Sequence, residues 1–208
     1  MYDHSVNDVK TSGVAAFILA GGKSSRMGRD KAFLQLGGET LLCHALKLAG
    51  SVAPRVRIVG DAEKFAAFGP VVEDVYRDRG PLGGIHAALA NTAADLNLML
   101  AVDLPFVESR FLEFLLSEAR QTSAIVTVPR ADKGLQPLCA VYRQTFAEVA
   151  EQSLREGKNK IDGLFAKVET RVIDEEQLVR AGFSIKMFRN LNTPKEWEKA
   201  RHDFSQVP

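Results

Sequence analysis

Residues 14–31 read VAAFILAGGKSSRMGRDK. The opening run, Val14 to Ala20, has the length and composition of a strand buried on both faces, and such strands belong to parallel sheets covered on each side. It stops at Gly21 and Gly22, and the cations Lys23, Arg26, Arg29 and Lys31 follow. A loop leaving the first strand of a parallel sheet lies at the carboxyl edge, where open α/β sheets bind ligands. Glycines let the backbone approach a ligand closely and turn N–H groups toward an anion. Ser24 and Ser25 add hydroxyl donors, and the cations add charge-assisted bonds. The stretch reads as a polyanion site, and a triphosphate fits it.

Outward from this strand the pattern alternates. ETLLCHALKLAG (39–50) spaces Leu42, Ala45, Leu46 and Ala49 at helical intervals and ends on Gly50, a glycine suited to a C-cap. RVRIVG (55–60) reads as a strand, and DAEKFAAFG (61–69) opens on a capping Asp61 and closes on Gly69. PLGGIHAALANTA (81–93) reads as a helix entered through a glycine turn. LNLMLAVD (96–103) is the most apolar strand and stops at a carboxylate. ESRFLEFLLSEAR (108–120) is an amphipathic helix, and SAIVTVP (123–129) a further strand. Regular alternation implies right-handed βαβ crossovers and a mostly parallel sheet covered on both faces.

Beyond residue 134 the pattern loosens. GLQPLCAVY (134–142) reads as a strand, RQTFAEVAEQSLREG (143–157) as a helix, and VETRVI (168–173) as a small strand. The last helix has a clear start: Thr193 as N-cap, Pro194 at the first helical position and Glu196 completing a capping box. With no repeat or linker in view, residues 13–208 are expected to form a single domain after a polar tail at 1–12.

Composition removes several functions. Apolar residues make up 46% and charged residues 25%, the balance of a globular chain, and the net charge of +1 supplies no global field for nucleic acid. Cys43 and Cys139 are isolated, which predicts a reducing compartment and no zinc site. There is no signal-peptide pattern at the N-terminus and no apolar stretch long enough to span a bilayer. The expectation is a cytoplasmic protein without nucleic-acid or membrane partners. Two familiar phosphate loops are also excluded. GKS occurs at 22–24, but Phe17 stands where a Walker A loop needs its first glycine, and no G-x-G-x-x-G is present.

Asp103 follows the apolar run 96–102 and is expected where that strand emerges at the ligand edge. Mg²⁺ prefers one or two carboxylates plus phosphate oxygens and water, so one well-placed Asp suffices. Asp74, in VVEDVYRDRGPLGG (71–84), reads by itself as equally suited to a turn or a site. The residues alone leave the nucleotide and the acceptor open, and they also permit a non-catalytic nucleotide-binding module.

LAGGKSSRMGRDKAFLQLGG (19–38) resembles the nucleotidyltransferase signature L-A-G-G-x-S-x-R-M-G-x-D-K, most closely that of the molybdenum cofactor guanylyltransferases. EDVYRDRGPLGGIHAAL (73–89), AVDLPFV (101–107), QPLCAVY (136–142) and NLNTP (190–194) follow in the order of that family. The resemblance covers about residues 13–200. It implies a three-layer, Rossmann-like nucleotidyltransferase fold that transfers GMP from GTP to Mo-molybdopterin with Mg²⁺. A molybdopterin cytidylyltransferase or a sugar-phosphate nucleotidyltransferase is the alternative, because Gly60 stands where the pattern has asparagine.

By the same resemblance Leu19, Ala20, Gly21 and Gly22 present backbone to the nucleotide. Arg26 and Lys31 contact its phosphates, Asp74 contacts the nucleotide, and Asp103 binds the metal. Gln136 and Pro137 line the pterin side, and Asn190 and Asn192 lie near the acceptor or the metal. Transient contacts with molybdenum cofactor biosynthesis proteins or molybdoenzyme chaperones are implied as well. REGKNK (155–160) reads as a solvated charge run, His44 and His86 as packed or surface residues, and Phe111, Phe114 and Trp197 as core.

Overall fold

The computed structural model describes residues 13–21, 30–76, 78–132, 134–191 and 193–204, with side chains omitted at 194, 195 and 202–204. The chain opens with β1 (Val14–Leu19), then a short 3-10 turn (Lys31–Phe33) and a small hairpin, β2 (Gln35–Leu36) and β3 (Glu39–Thr40). The helix α1 (Leu41–Gly50) starts at Thr40, whose hydroxyl accepts the Cys43 N–H at 3.2 Å. Gly50 is not the cap expected of it. The helix runs through it to Ser51, whose right-handed backbone sends its N–H back to Lys47 O at 3.1 Å, so no left-handed residue is needed.

Then come β4 (Arg55–Val59), α2 (Ala62–Phe65), β5 (Val71–Val72), α3 (Pro81–Ala90), β6 (Leu96–Ala101) and α4 (Ser109–Arg120). After β7 (Val126–Ala131), β8 (Gly134–Leu135) and β9 (Cys139–Arg143), the chain forms α5 (Phe146–Arg155), α6 (Asp162–Phe165), β10 (Thr170–Ile173), α7 (Glu175–Arg180) and α8 (Pro194–Phe204). At α8 the capping box is in place: Thr193 Oγ1 accepts the Glu196 N–H at 3.2 Å, and Glu196 Oε2 accepts the Thr193 N–H at 2.9 Å.

The central sheet runs β10-β7-β9-β6-β1-β4-β5, with β8 paired to β7. Parallel pairs join β1 to β4 and β6, β4 to β5, and β7 to β10. The exception along this path is β9, which is antiparallel to both β6 and β7. The segment expected as one strand over 134–142 divides into β8 and β9, which run in the same direction, both antiparallel to β7, with a break at 136–138 between them. The path of the chain explains where the site lies. From β1 it steps outward to β4 and β5, then returns through α3 to β6 on the other flank of β1. The crevice between the carboxyl ends of β1 and β6 is therefore the topological switch point.

Period-two alternation divides β1 between two cores. Val14, Ala16 and Ile18 face a core with residues of α1, α4 and α7, while Ala15 and Phe17 face a core with α3, α5 and α6. Every residue of β6 is buried. Both layers of helix are thus anchored on the same two strands, and those strands reach the crevice as a rigid floor. Among the described residues no helix is long and apolar enough to cross a membrane.

Candidate nucleotide-binding site

The crevice holds a cavity of about 670 Å³. Val102 N–H donates to Leu19 O at 3.2 Å across the ends of β6 and β1, and Ala101 N–H donates to Leu138 O, just ahead of β9, at 2.8 Å. Leu19, Ala20 and Gly21 line the cavity. Their backbone serves differently from the expectation, however. The N–H groups of Ala20 and Gly21 both donate to Val59 O, at 3.0 and 3.1 Å, so in this conformation they are committed to the sheet rather than aimed at an anion. Gly22 and Arg26, with the rest of residues 22–29, lie outside the described residues.

Lys31 and Asp103 meet at the floor. Lys31 Nζ donates to Asp103 Oδ2 at 3.0 Å, with side-chain exposures of 18% and 19%. Lys31 sits at the first position of the 3-10 turn, which Asp30 caps by accepting the Ala32 N–H at 3.2 Å. Asp30 also pairs with Lys64 at 3.4 Å, tying the turn to α2. Asp103 lies two residues past β6, in a turn whose carbonyl at Asp103 accepts the Leu191 N–H at 3.2 Å.

The opposite wall is the start of α3. Gly80, at φ 66, enters the helix in a conformation that favours glycine, and Pro81 takes its first position. Asp74 reaches over this helix start. A Cβ at Gly83 would stand 2.4 Å from Asp74 Oδ2, so Gly83 makes room for that carboxylate rather than directly for a ligand. Gly84 lies against Val59 and Leu19, which brings α3 down onto β1 and β4. Asp74 Oδ1 accepts the Tyr76 N–H at 2.8 Å. Burial raises the Asp74 carboxyl above its ordinary range, opposed by the Tyr76 hydrogen bond and by the charge of His86. His86 itself is buried and stacks edge-on to Tyr76 at 5.1 Å.

Gly60 also lines the cavity, and here the packing accounts for the residue. A Cβ would meet the buried Phe65 ring at 2.8 and 2.9 Å, so no larger side chain fits unless the ring moves. Asp78 lines the wall too, holding a positive φ of 61 that is uncommon outside glycine. Reading the sequence missed Asp78, and it missed Asp30, although the capping pattern D-K-A before a turn could have flagged the latter.

The acceptor-side residues are less gathered. Gln136 and Pro137 do not line the cavity. Gln136 Nε2 donates to Ala131 O at 3.4 Å and Pro137 O accepts the Tyr142 hydroxyl at 2.8 Å, leaving their neighbour Leu138 at the wall. Asn190 is exposed beside the buried Leu191, and Asn192 lies outside the described residues. Arg155 and Lys158 pair with Glu151 and Glu156 at the surface, as expected for a solvated run.

A switch-point cavity with a lysine and an aspartate on its floor, under a glycine-entered helix, is the ligand site of an open α/β sheet, and the sequence places that sheet in the nucleotidyltransferase class. The profile of the family described as "MobA-like NTP transferase domain" matches residues 16–171, and the chain belongs to that family. A "Probable molybdenum cofactor guanylyltransferase" of Pelotomaculum thermopropionicum is 37% identical over 187 residues, covering 88% of this chain and 90% of the relative. A "Molybdenum cofactor guanylyltransferase" of Syntrophotalea carbinolica is 32% identical over 189 residues and covers 90% of each chain. Among solved structures, the "Molybdopterin-guanine dinucleotide biosynthesis protein A" of Archaeoglobus fulgidus superposes with a TM-score of 0.83 at 26% identity, over 93% of this chain and 100% of that one.

Proposed function

We propose that the chain transfers GMP from GTP to Mo-molybdopterin, releasing pyrophosphate and forming the guanine dinucleotide form of the cofactor. Relatives named as molybdenum cofactor guanylyltransferases, matched over 90% of their length, support the reading. The observation that carries it is the Lys31–Asp103 pair, 3.0 Å apart at the switch point. In the reaction a phosphate oxygen of the acceptor attacks the α-phosphorus of GTP, and the bond to the bridging oxygen breaks. The attacking oxygen is already anionic, so the site must position and neutralise charge rather than abstract a proton.

The donor set fits Mg²⁺. Asp103 offers one carboxylate at a strand end, and among the described residues no group of three or more acids, cysteines or histidines converges. Such a site suits an ion that completes its shell with phosphate oxygens and water. Asp103 would hold the ion, which when bound withdraws charge from those oxygens. Lys31 would exchange its carboxylate partner for a phosphate, and Asp74 would accept hydrogen bonds from the nucleotide on the opposite wall. Residues 13–208 are taken as one domain because the site draws on segments from Leu19 through Leu191.

The test is pyrophosphate release with Mo-molybdopterin, Mg²⁺ and each of ATP, CTP, GTP and UTP. GTP alone is expected to support turnover. Release with CTP and none with GTP would reassign the nucleotide and leave the chemistry standing.

A further inference from the structure

Two contacts join the turn that carries Asp103 to a segment more than eighty residues away in sequence. The turn itself is loosely closed: Leu104 N–H reaches Ala101 O at 3.4 Å, and Val107 N–H reaches Leu104 O at 3.3 Å, both long for such bonds. From outside, the buried Leu191 donates its N–H to Asp103 O at 3.2 Å. Two residues earlier, the Arg189 guanidinium stands 4.3 Å from the centroid of the Phe106 ring, inside the range of a cation–π contact. Phe106 belongs to the same turn, and Arg189 ends the 3-10 turn 185–188, its N–H donating to Lys186 O at 3.2 Å.

We propose that Arg189 is a positioning residue for Asp103: stacked on Phe106 and acting with the Leu191 N–H, it latches the turn and so sets where the carboxylate stands. This rests on reading Asp103 as the metal ligand. Lys31 orients the tip of the side chain, whereas the latch fixes the backbone from which that side chain springs. Residues that orient a metal ligand from behind cost about 10- to 100-fold in metal affinity or activity when they are replaced. Arg is suited to this place because its planar group lies flat on a ring, which an ammonium cannot reproduce.

The experiment uses the full chain and Mn²⁺ as probe, with binding in the presence of GTP followed by electron paramagnetic resonance beside steady-state kinetics. Arg189→Ala and Phe106→Leu are each expected to weaken Mn²⁺ binding ~10- to 100-fold and to lower kcat, while KM for GTP at saturating metal stays near that of the unaltered protein. Arg189→Lys should fall between. The double variant should cost less than the sum of the two single ones, because both lose the Arg189–Phe106 contact. Wild-type Mn²⁺ binding and kcat in Arg189→Ala, or full additivity of the two changes, would overturn the latch. If Arg189→Ala does not fold, Phe106→Leu decides by the same readings. An unaltered protein inert toward Mo-molybdopterin would sink the proposed reaction while the Mn²⁺ titrations still judge the latch.

Discussion

Asp103 and Asp74 line the same cavity, yet they are held in opposite ways. Asp103 shares its charge with Lys31 at 3.0 Å. Asp74 is packed against Gly83 and accepts a backbone N–H, with burial pushing its proton affinity up. On the floor the carboxylate and the ammonium thus satisfy one another directly. On the wall, the hydrogen bond that the Asp74 carboxylate accepts among the described residues is from the Tyr76 N–H, so a ligand group bearing N–H or O–H would favour its charged form. In the proposed reaction this places the phosphates over Lys31 and the donor-bearing half of the nucleotide at Asp74.

Breaking the floor should have the largest effect. Asp103→Asn keeps the shape and removes the charge that would hold Mg²⁺, and kcat is expected to fall ~10³-fold, equivalent to about 4 kcal/mol. Pyrophosphate release measured against Mg²⁺ concentration checks this, and an unaltered curve would remove Asp103 from the metal. Next comes Lys31→Ala, which deletes a charge-assisted contact worth ~1.5–3 kcal/mol. GTP affinity should drop about 10- to 100-fold by titration calorimetry. If affinity holds, the lysine serves only to neutralise Asp103.

The floor was legible before the wall was, for a physical reason. Apolar runs announce buried strands, and a carboxylate or a glycine ending such a run falls at the sheet edge by geometry alone, so Leu19 to Gly21 and Asp103 could be placed. The meeting of Lys31 with Asp103 itself required the fold. The wall depends on packing that a one-dimensional pattern does not encode. Gly83 reads only as part of a glycine turn into a helix until the Asp74 carboxylate is seen to fill the space beside it, and Gly60 reads as a lost asparagine until the Phe65 ring is found against it. Leu191 was invisible because its contribution is a backbone N–H, a group every residue but proline carries. The antiparallel β9 was missed because strand direction depends on the path of the chain, whereas alternation of apolar residues is the same in either direction.

A methyl group sharpens the contrast. Gly83→Ala places a Cβ 2.4 Å from Asp74 Oδ2 and must displace the carboxylate or the helix start. Crowding of this kind typically costs ~1–3 kcal/mol. The expected result is a lower melting temperature and a higher KM for GTP, with kcat at saturation little changed, because Lys31 and Asp103 are untouched. A KM equal to that of the unaltered protein would show that Asp74 does not contact the nucleotide.

The smallest effect runs the other way. The folded state holds the Asp74 proton more tightly than the unfolded chain does, so the stability this group contributes is fully present below the ordinary carboxylate value of about 4 and is lost as pH rises through its higher folded value. At neutral pH the buried charge therefore weakens the fold. Asp74→Asn removes that charge and keeps an oxygen for the Tyr76 N–H. The variant should melt at a slightly higher temperature at pH 7, and the gain should fade as the pH is lowered toward 4. GTP binding should weaken at the same time, since the amide turns one acceptor into a donor. Melting curves from pH 4 to pH 8 measure both the sign and its pH dependence. A variant less stable than the unaltered protein at pH 7 would mean that the carboxylate is compensated after all, and the asymmetry between floor and wall would fall with it.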